Sequence, residues 1–175
     1  MNMVKKMIKV KSVETSTLER HPVPVLGIDY RVKIAYKNIK VAEVDVEKAT
    51  IIISLPNKYK KGNNKAILDL AIDKMYEQIA KVEIERAMEK TRIMLGFAPE
   101  DYEIKKMTRV FGKCENRKIT INPEVVKFDR DTIDYVVLHQ YCHLKYKTHA
   151  PSFFKLVRKY EPDYGTYESK LLENL

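Results

Sequence analysis

Three of the chain's four histidines, His139, His143 and His149, fall within eleven consecutive residues. Imidazole is the commonest metal ligand in proteins. On a helix, side chains four residues apart leave the same face one turn from each other, so His139 and His143 can share one ion. His149 can join them if the helix ends soon after His143 and the chain turns back, which Lys147-Thr148 and the following Pro151 allow. Three protein ligands with a fourth position left for water describe a hydrolytic zinc rather than a closed structural one. The related motif H-E-x-x-H puts a Glu beside the first His as general base. Here that position is Gln140. An amide has nearly the shape of a carboxylate and can hydrogen-bond, but it cannot take a proton.

Other groups near the cluster carry weaker signals. Cys142 sits one position before His143 and so points to a different helix face, as a small buried residue would. For Cys114 to act as a ligand, the segment that carries it must fold directly over the ion. Tyr160, Glu161, Tyr164 and Tyr167 lie downstream within reach of a cleft, where a tyrosine hydroxyl can polarise a developing oxyanion. His21, alone between Arg20 and Pro22, reads as an ordinary histidine.

The histidines need a helix to hold them. Asp129-Arg130-Asp131 offers an N-cap, and Tyr135-Val136-Val137-Leu138 supplies the buried stretch just before His139. Pro151 opens a further helical run with Phe153, Phe154, Leu156, Val157 and Tyr160; Pro162 breaks it before a short last segment with Leu171 and Leu172. Upstream, residues 102–111 and 118–122 predict two short strands around the loop from Gly112 to Arg117, a hairpin beside the histidine helix. Ile67, Leu70, Ala71, Met75, Ile79 and Val82 recur every three or four residues and predict a long helix from about Lys65 to Leu95, closed by Gly96 and Pro99. Before it, alternation from Tyr30 to Tyr36, from Ile39 to Val46 and the β-branched run Thr50 to Leu55 predict a meander of antiparallel strands. Residues 1 to about 25, with Pro22 and Pro24, read as an arm without regular structure. The fold class is α+β: N-terminal antiparallel strands, a long helix, a small sheet over the active-site helix, and C-terminal helices. The division is an arm over 1–29, a strand-and-helix part over 30–100 and a core over 101–175, the last two packed together.

Composition narrows the class further. The 175 residues suffice for one domain with a real core, and 45% apolar with 33% charged residues is globular composition. Two cysteines cannot make a disulfide framework, and neither a secretory leader nor a membrane-length apolar run stands out, so a cytoplasmic protein is expected. The formal charge of +9 invites a nucleic-acid reading. The basic residues are dispersed, however, among acids, a turn at Lys58 to Lys61 and the leading segment, so nucleic acid is not the favoured partner.

From Arg109 to Tyr164 the sequence resembles the YgjP-like zinc metallopeptidases, relatives of the WLM and SprT-like groups. The resemblance is carried by His139 to His149, by Ala150-Pro151-Ser152-Phe153-Phe154, by Pro162-Asp163-Tyr164, and by Arg109 to Cys114 with Ile119 to Pro123. It implies that His139, His143 and His149 bind zinc, that position 140 holds the catalytic base, and that Phe111, Gly112, Lys113 and Cys114 border the cleft, where an edge strand can pair with an extended peptide or protein substrate. The family's Trp is Phe111 here, its Ser is Lys113, and its Glu is Gln140. Loss of a general base costs on the order of 100- to 10,000-fold in rate. Two origins fit Gln140: replacement of Glu in an otherwise active peptidase, which the intact surroundings favour, or a natural pseudopeptidase. A basic binding module with a structural zinc is the alternative of a different class.

Overall fold

The computed structural model describes residues 15–16, 22–62 and 64–174; the basic leading segment and His21 lie outside the described residues. In chain order the strands are β1 (Thr15–Ser16), β2 (Val23–Val25), β3 (Ile28–Lys37), β4 (Glu43–Glu47), β5 (Thr50–Pro56), β6 (Asp101–Ile104), β7 (Gly112–Glu115) and β8 (Lys118–Ile121). The helices are α1 (Lys65–Leu95), α2 (Arg130–His143), α3 (Pro151–Tyr160) and α4 (Tyr164–Leu172). This is an α+β fold. The described residues form two units, one with Thr15–Ser16 and residues from Tyr30 to Ala71, the other with Val23–Asp29 and residues from Ile72 onward. No helix among the described residues is long and apolar enough to cross a membrane.

In the first unit the strands lie in the order β1-β3-β5-β4. The sheet is mixed, not the simple antiparallel meander expected: β3 and β5 run parallel, with Val32 opposite Ile51 and Ile34 opposite Ile53, while β4 is antiparallel to β5. Burial explains the swap. The side chains of Ile51, Ile53 and Leu55 are fully buried, so the β-branched run takes the inner position. Glu43, Asp45 and Glu47 make β4 a charged strand suited to an edge.

Helix α1 has the expected bounds, and Gly96 closes it with φ of 74° and an N–H to the Arg92 carbonyl. Its buried face is rotated from the expected stripe: Leu68, Ala71, Met75, Tyr76, Ala80, Ile84, Ala87 and Met88 are buried, whereas Leu70 and Val82 are exposed. The apolar count misleads because the buried face also carries Glu83 and Thr91. Glu83 is tolerated there because Arg130 of α2 donates to both its oxygens at 2.6 and 2.9 Å and Arg86 adds a third bond at 3.0 Å.

The second unit builds the frame of the histidines. Val23–Val25 is a strand despite Pro24, whose carbonyl accepts from the Tyr76 hydroxyl at 2.9 Å. The turn after it is anchored by the N–H groups of Leu26 and Gly27 to the carbonyls of Val126 and Lys127. A small sheet follows in the order β6-β8-β7, with β6 parallel and β7 antiparallel to β8. The expected loop from Gly112 to Arg117 is therefore mostly strand. The reversal takes only Asn116 and Arg117, both at positive φ, the backbone of a two-residue hairpin turn. Helix α2 starts where the sequence predicts: the Asp129 carboxylate caps it, accepting from the Thr132 N–H at 2.9 Å. From Thr132 to Cys142 every residue of α2 except His139 is buried.

Candidate metal centre

The last turn of α2 carries His139 and His143 on one face, as their spacing requires. The helix stops at His143, and the N–H groups of Leu144 and Tyr146 close it onto the Tyr141 and Cys142 carbonyls. The chain then returns through His149 to α3, where Pro151 takes a first-turn position that needs no N–H. This return brings His149 Nε2 to 3.0 Å from His139 Nε2 and 3.1 Å from His143 Nε2. Phe153, fully buried on α3, packs against all three imidazoles, with ring centroids 4.6 to 4.9 Å away.

The outer nitrogens decide what the inner ones can do. His143 Nδ1 faces the Tyr146 carbonyl at 2.9 Å. A carbonyl only accepts, so Nδ1 carries the proton and Nε2 presents a bare lone pair. His139 Nδ1 meets the Tyr135 hydroxyl at 3.2 Å, a group that can accept in the same way. Burial, reinforced by the neighbouring imidazoles, pushes the pKa of His139 down to about 3. That of His143 is also lowered, chiefly by burial and against the pull of the Tyr146 carbonyl. Neutral imidazoles with converging lone pairs are the state that ligates a cation. A tetrahedral ion with bonds of about 2.0–2.1 Å spaces its ligand nitrogens by roughly 3.3–3.4 Å, close to the separations seen here. The three histidines can therefore hold a metal ion.

Gln140 is buried beside this cluster, under β7. A Cβ on Gly112 would lie 2.8 Å from Gln140 Nε2 and 2.9 Å from its Cγ. Only glycine lets the strand approach this closely. β7 is an edge strand of its sheet, so the backbone next to Gln140 has one side unpaired within the sheet. Against these groups opens a cleft of about 280 Å³, bordered by His139, Gln140 and His149. Its apolar walls come from Val110, Phe111 and Val136 on one part and from Leu171 and Leu172 of α4 on another.

Of the four cleft residues expected around the hairpin, Phe111 and Gly112 line it. Lys113 instead pairs with Glu115 at 2.8 Å, and Cys114 is half-buried away from the cleft lining. Cys142 is fully buried, its thiol pKa pushed up to about 12 by burial, and it is not part of the ligand cluster. Tyr164 and Tyr167 pack on the Tyr135 ring at 6.4 and 5.8 Å rather than facing the imidazoles directly. In the sequence Tyr135 stands only as part of the buried run before His139, though its i, i+4 relation to that histidine signals the contact; Glu168, which lines the cleft from α4, carries no such signal.

The family model described as YgjP-like, metallopeptidase domain, matches residues 2–174. The chain belongs to the YgjP-like metallopeptidase family. No curated relative matches its sequence. Solved structures similar to it include two metallopeptidase zymogens. The metallopeptidase zymogen of Pyrococcus abyssi abylysin is 23% identical with a TM-score of 0.48, over 53% of this chain and 94% of that one. The zymogen of Methanocaldococcus jannaschii jannalysin is 25% identical with a TM-score of 0.47, over 53% of this chain and 90% of that one. This member of the YgjP-like family thus pairs a three-histidine cluster able to hold a metal with a glutamine as its immediate neighbour.

Proposed function

We propose that the protein is a zinc-dependent metallopeptidase in which His139, His143 and His149 hold the ion and Gln140 occupies the place of the general base. The observation that carries this reading is the convergence of three Nε2 atoms at the edge of a cleft that Gln140 also borders. The donor set favours zinc because neutral imidazole is a borderline ligand that suits it better than calcium or magnesium, which prefer oxygen. When bound, the ion supplies Lewis-acid polarisation of a carbonyl and acidifies a water.

The protein's own groups do the rest. Edge strand β7 can pair with an extended peptide and lay its backbone over Gln140. The Gln140 amide can hold a water or a carbonyl by hydrogen bonds, yet it offers no basic site for the proton that hydrolysis must remove. The chain as it stands binds substrate and turns it over slowly. Purified protein loaded with zinc should carry about one ion per chain, and His143→Ala should lose it. With zinc content matched, Gln140→Glu should raise peptide hydrolysis by about 100- to 10,000-fold. Absence of stoichiometric zinc refutes the metal assignment. An inert Gln140→Glu protein across a broad peptide library, with its zinc in place, refutes the assignment of the base.

A further inference from the structure

The cleft holds one acidic group that the chemistry above leaves unused. Glu168 stands on α4 three and four residues before Leu171 and Leu172, so its carboxylate and these two apolar side chains share a helix face, and all three line the cleft. Glu168 is half-buried, and its carboxylate makes no hydrogen bond or ion pair with the described residues. The cations on hand are committed elsewhere. Lys170, two positions on, binds Asp129 at 2.5 Å. Arg158 lies over the Tyr164 ring and reaches its hydroxyl at 3.2 Å.

A half-buried carboxylate beside an apolar wall and with no cationic side chain to pair with loses part of its hydration and gains little in exchange. Three kinds of substrate side chain compare differently against it. An aliphatic one would cover Val110, Phe111 and Val136 but strip further water from Glu168 with nothing returned. An acidic one would meet like charge. Lysine and arginine bring three or four methylenes for the apolar walls and a cationic head for the carboxylate, a charge-assisted hydrogen bond in a partly dry site.

We propose that this cleft is the subsite for a basic side chain of the peptide substrate, with Glu168 as its specificity-determining residue. The inference rests on the peptide-binding reading of the cleft. The chain's formal charge of +9 works against any cationic peptide at long range, so a preference for arginine has to arise locally.

The test uses the full zinc-loaded chain with Gln140 retained, at physiological salt. The probes are fluorescein-labelled alanine-rich decapeptides with a single central arginine, norleucine or glutamate, and the readout is binding anisotropy. The arginine peptide should bind at least about tenfold more tightly than the norleucine peptide, in line with one charge-assisted bond, and the glutamate peptide most weakly. Glu168→Gln should erase the difference between arginine and norleucine at unchanged zinc content, and Glu168→Lys should turn the preference toward glutamate. The subsite assignment is overturned if norleucine binds as well as arginine, if the arginine preference survives Glu168→Gln, or if none of the three peptides binds. Cleavage by Gln140→Glu without any basic preference would sink this inference and leave the metallopeptidase reading standing. Arginine binding that depends on Glu168, in a protein whose Gln140→Glu variant never cleaves, would do the reverse.

Discussion

Helix α2 carries a cluster of polar groups toward each end. Toward its start, Arg130 donates to both oxygens of Glu83, while Asp134 accepts from Arg86 at 2.6 and 3.3 Å and from Lys90 at 2.5 Å. At its end, His139 and His143 face His149 with their Nε2 atoms about 3 Å apart. Both clusters sit against the same core. In the first, each acid meets at least one cation, and Glu83 is held below the usual carboxylate range by the Arg130 bond first, against the opposing effect of its burial. The charges are complete within the chain. In the second, His143 Nδ1 meets the Tyr146 carbonyl and His139 Nδ1 the Tyr135 hydroxyl, while the three Nε2 atoms converge on one another, an arrangement that gains from a cation between them. The first cluster fixes where α2 lies, and the second is fit for a ligand.

If that division is right, the two clusters respond to mutation in opposite currencies. Arg86→Met removes the guanidinium that binds both Glu83 and Asp134, two carboxylates that are almost fully buried. Each keeps one other partner, so the loss should be about 3 kcal/mol of unfolding free energy rather than collapse of the fold. Urea titration measures it. The folded variant should still take up one metal per chain. Unchanged stability, or metal lost while the protein is folded, would contradict the division.

Tyr135→Phe should do the opposite. The phenyl ring keeps the packing on Tyr167, and only the hydroxyl at His139 Nδ1 is lost. Burial, with the nearby Glu168 charge second, already holds the Tyr135 phenol well above its ordinary pKa, so it stays neutral and able to accept from the imidazole. Loss of such an outer partner frees the ring to turn or change tautomer. It should weaken metal affinity about tenfold, read by competition with a chelator, and barely move the urea midpoint. Equal affinity in the two proteins would mean that Tyr135 does not orient His139.

The residues that made the metal centre legible in the sequence are those whose role follows from spacing alone. His139 and His143 needed only a helix, and Asp129 marked its start. His149 needed a chain reversal, which Pro151 signalled. What the sequence concealed depends on contacts between distant segments. Glu83 looks like one more surface acid until Arg130, 47 residues on, neutralises it inside the core. Its burial is also why α1 turns a different face inward from the one that Leu70 and Val82 suggest. β5 took the inner place in its sheet because burial, and not chain order, decides which strand is covered on both sides. Glu168 stayed hidden because α4 has few apolar residues and only their joint placement at the cleft gives the carboxylate a meaning.

The smallest effect concerns the piece that joins the cleft wall to the helix start. Asp129 caps α2 through Thr132 and binds Lys170 of α4 at 2.5 Å. Burial works to raise its pKa, but the Lys170 bond and then the Thr132 bonds outweigh it and bring the group to about 2. A carboxyl whose pKa is lower folded than unfolded adds stability at pH values above its ordinary 3.8, and that contribution disappears as the pH falls toward about 2. Asn is an equally good N-cap, so Asp129→Asn removes the charge and keeps the cap. Because both partners are about 40% exposed, solvent screens the pair and the loss at neutral pH should stay below about 1 kcal/mol. The stability gap between the two proteins should be largest at neutral pH and close as the pH drops from 4 to 2, measured by urea titration at each pH. A gap that persists at pH 2 would assign Asp129 a role in capping that Asn does not reproduce, and would remove the ion pair as the tie between α4 and the start of α2.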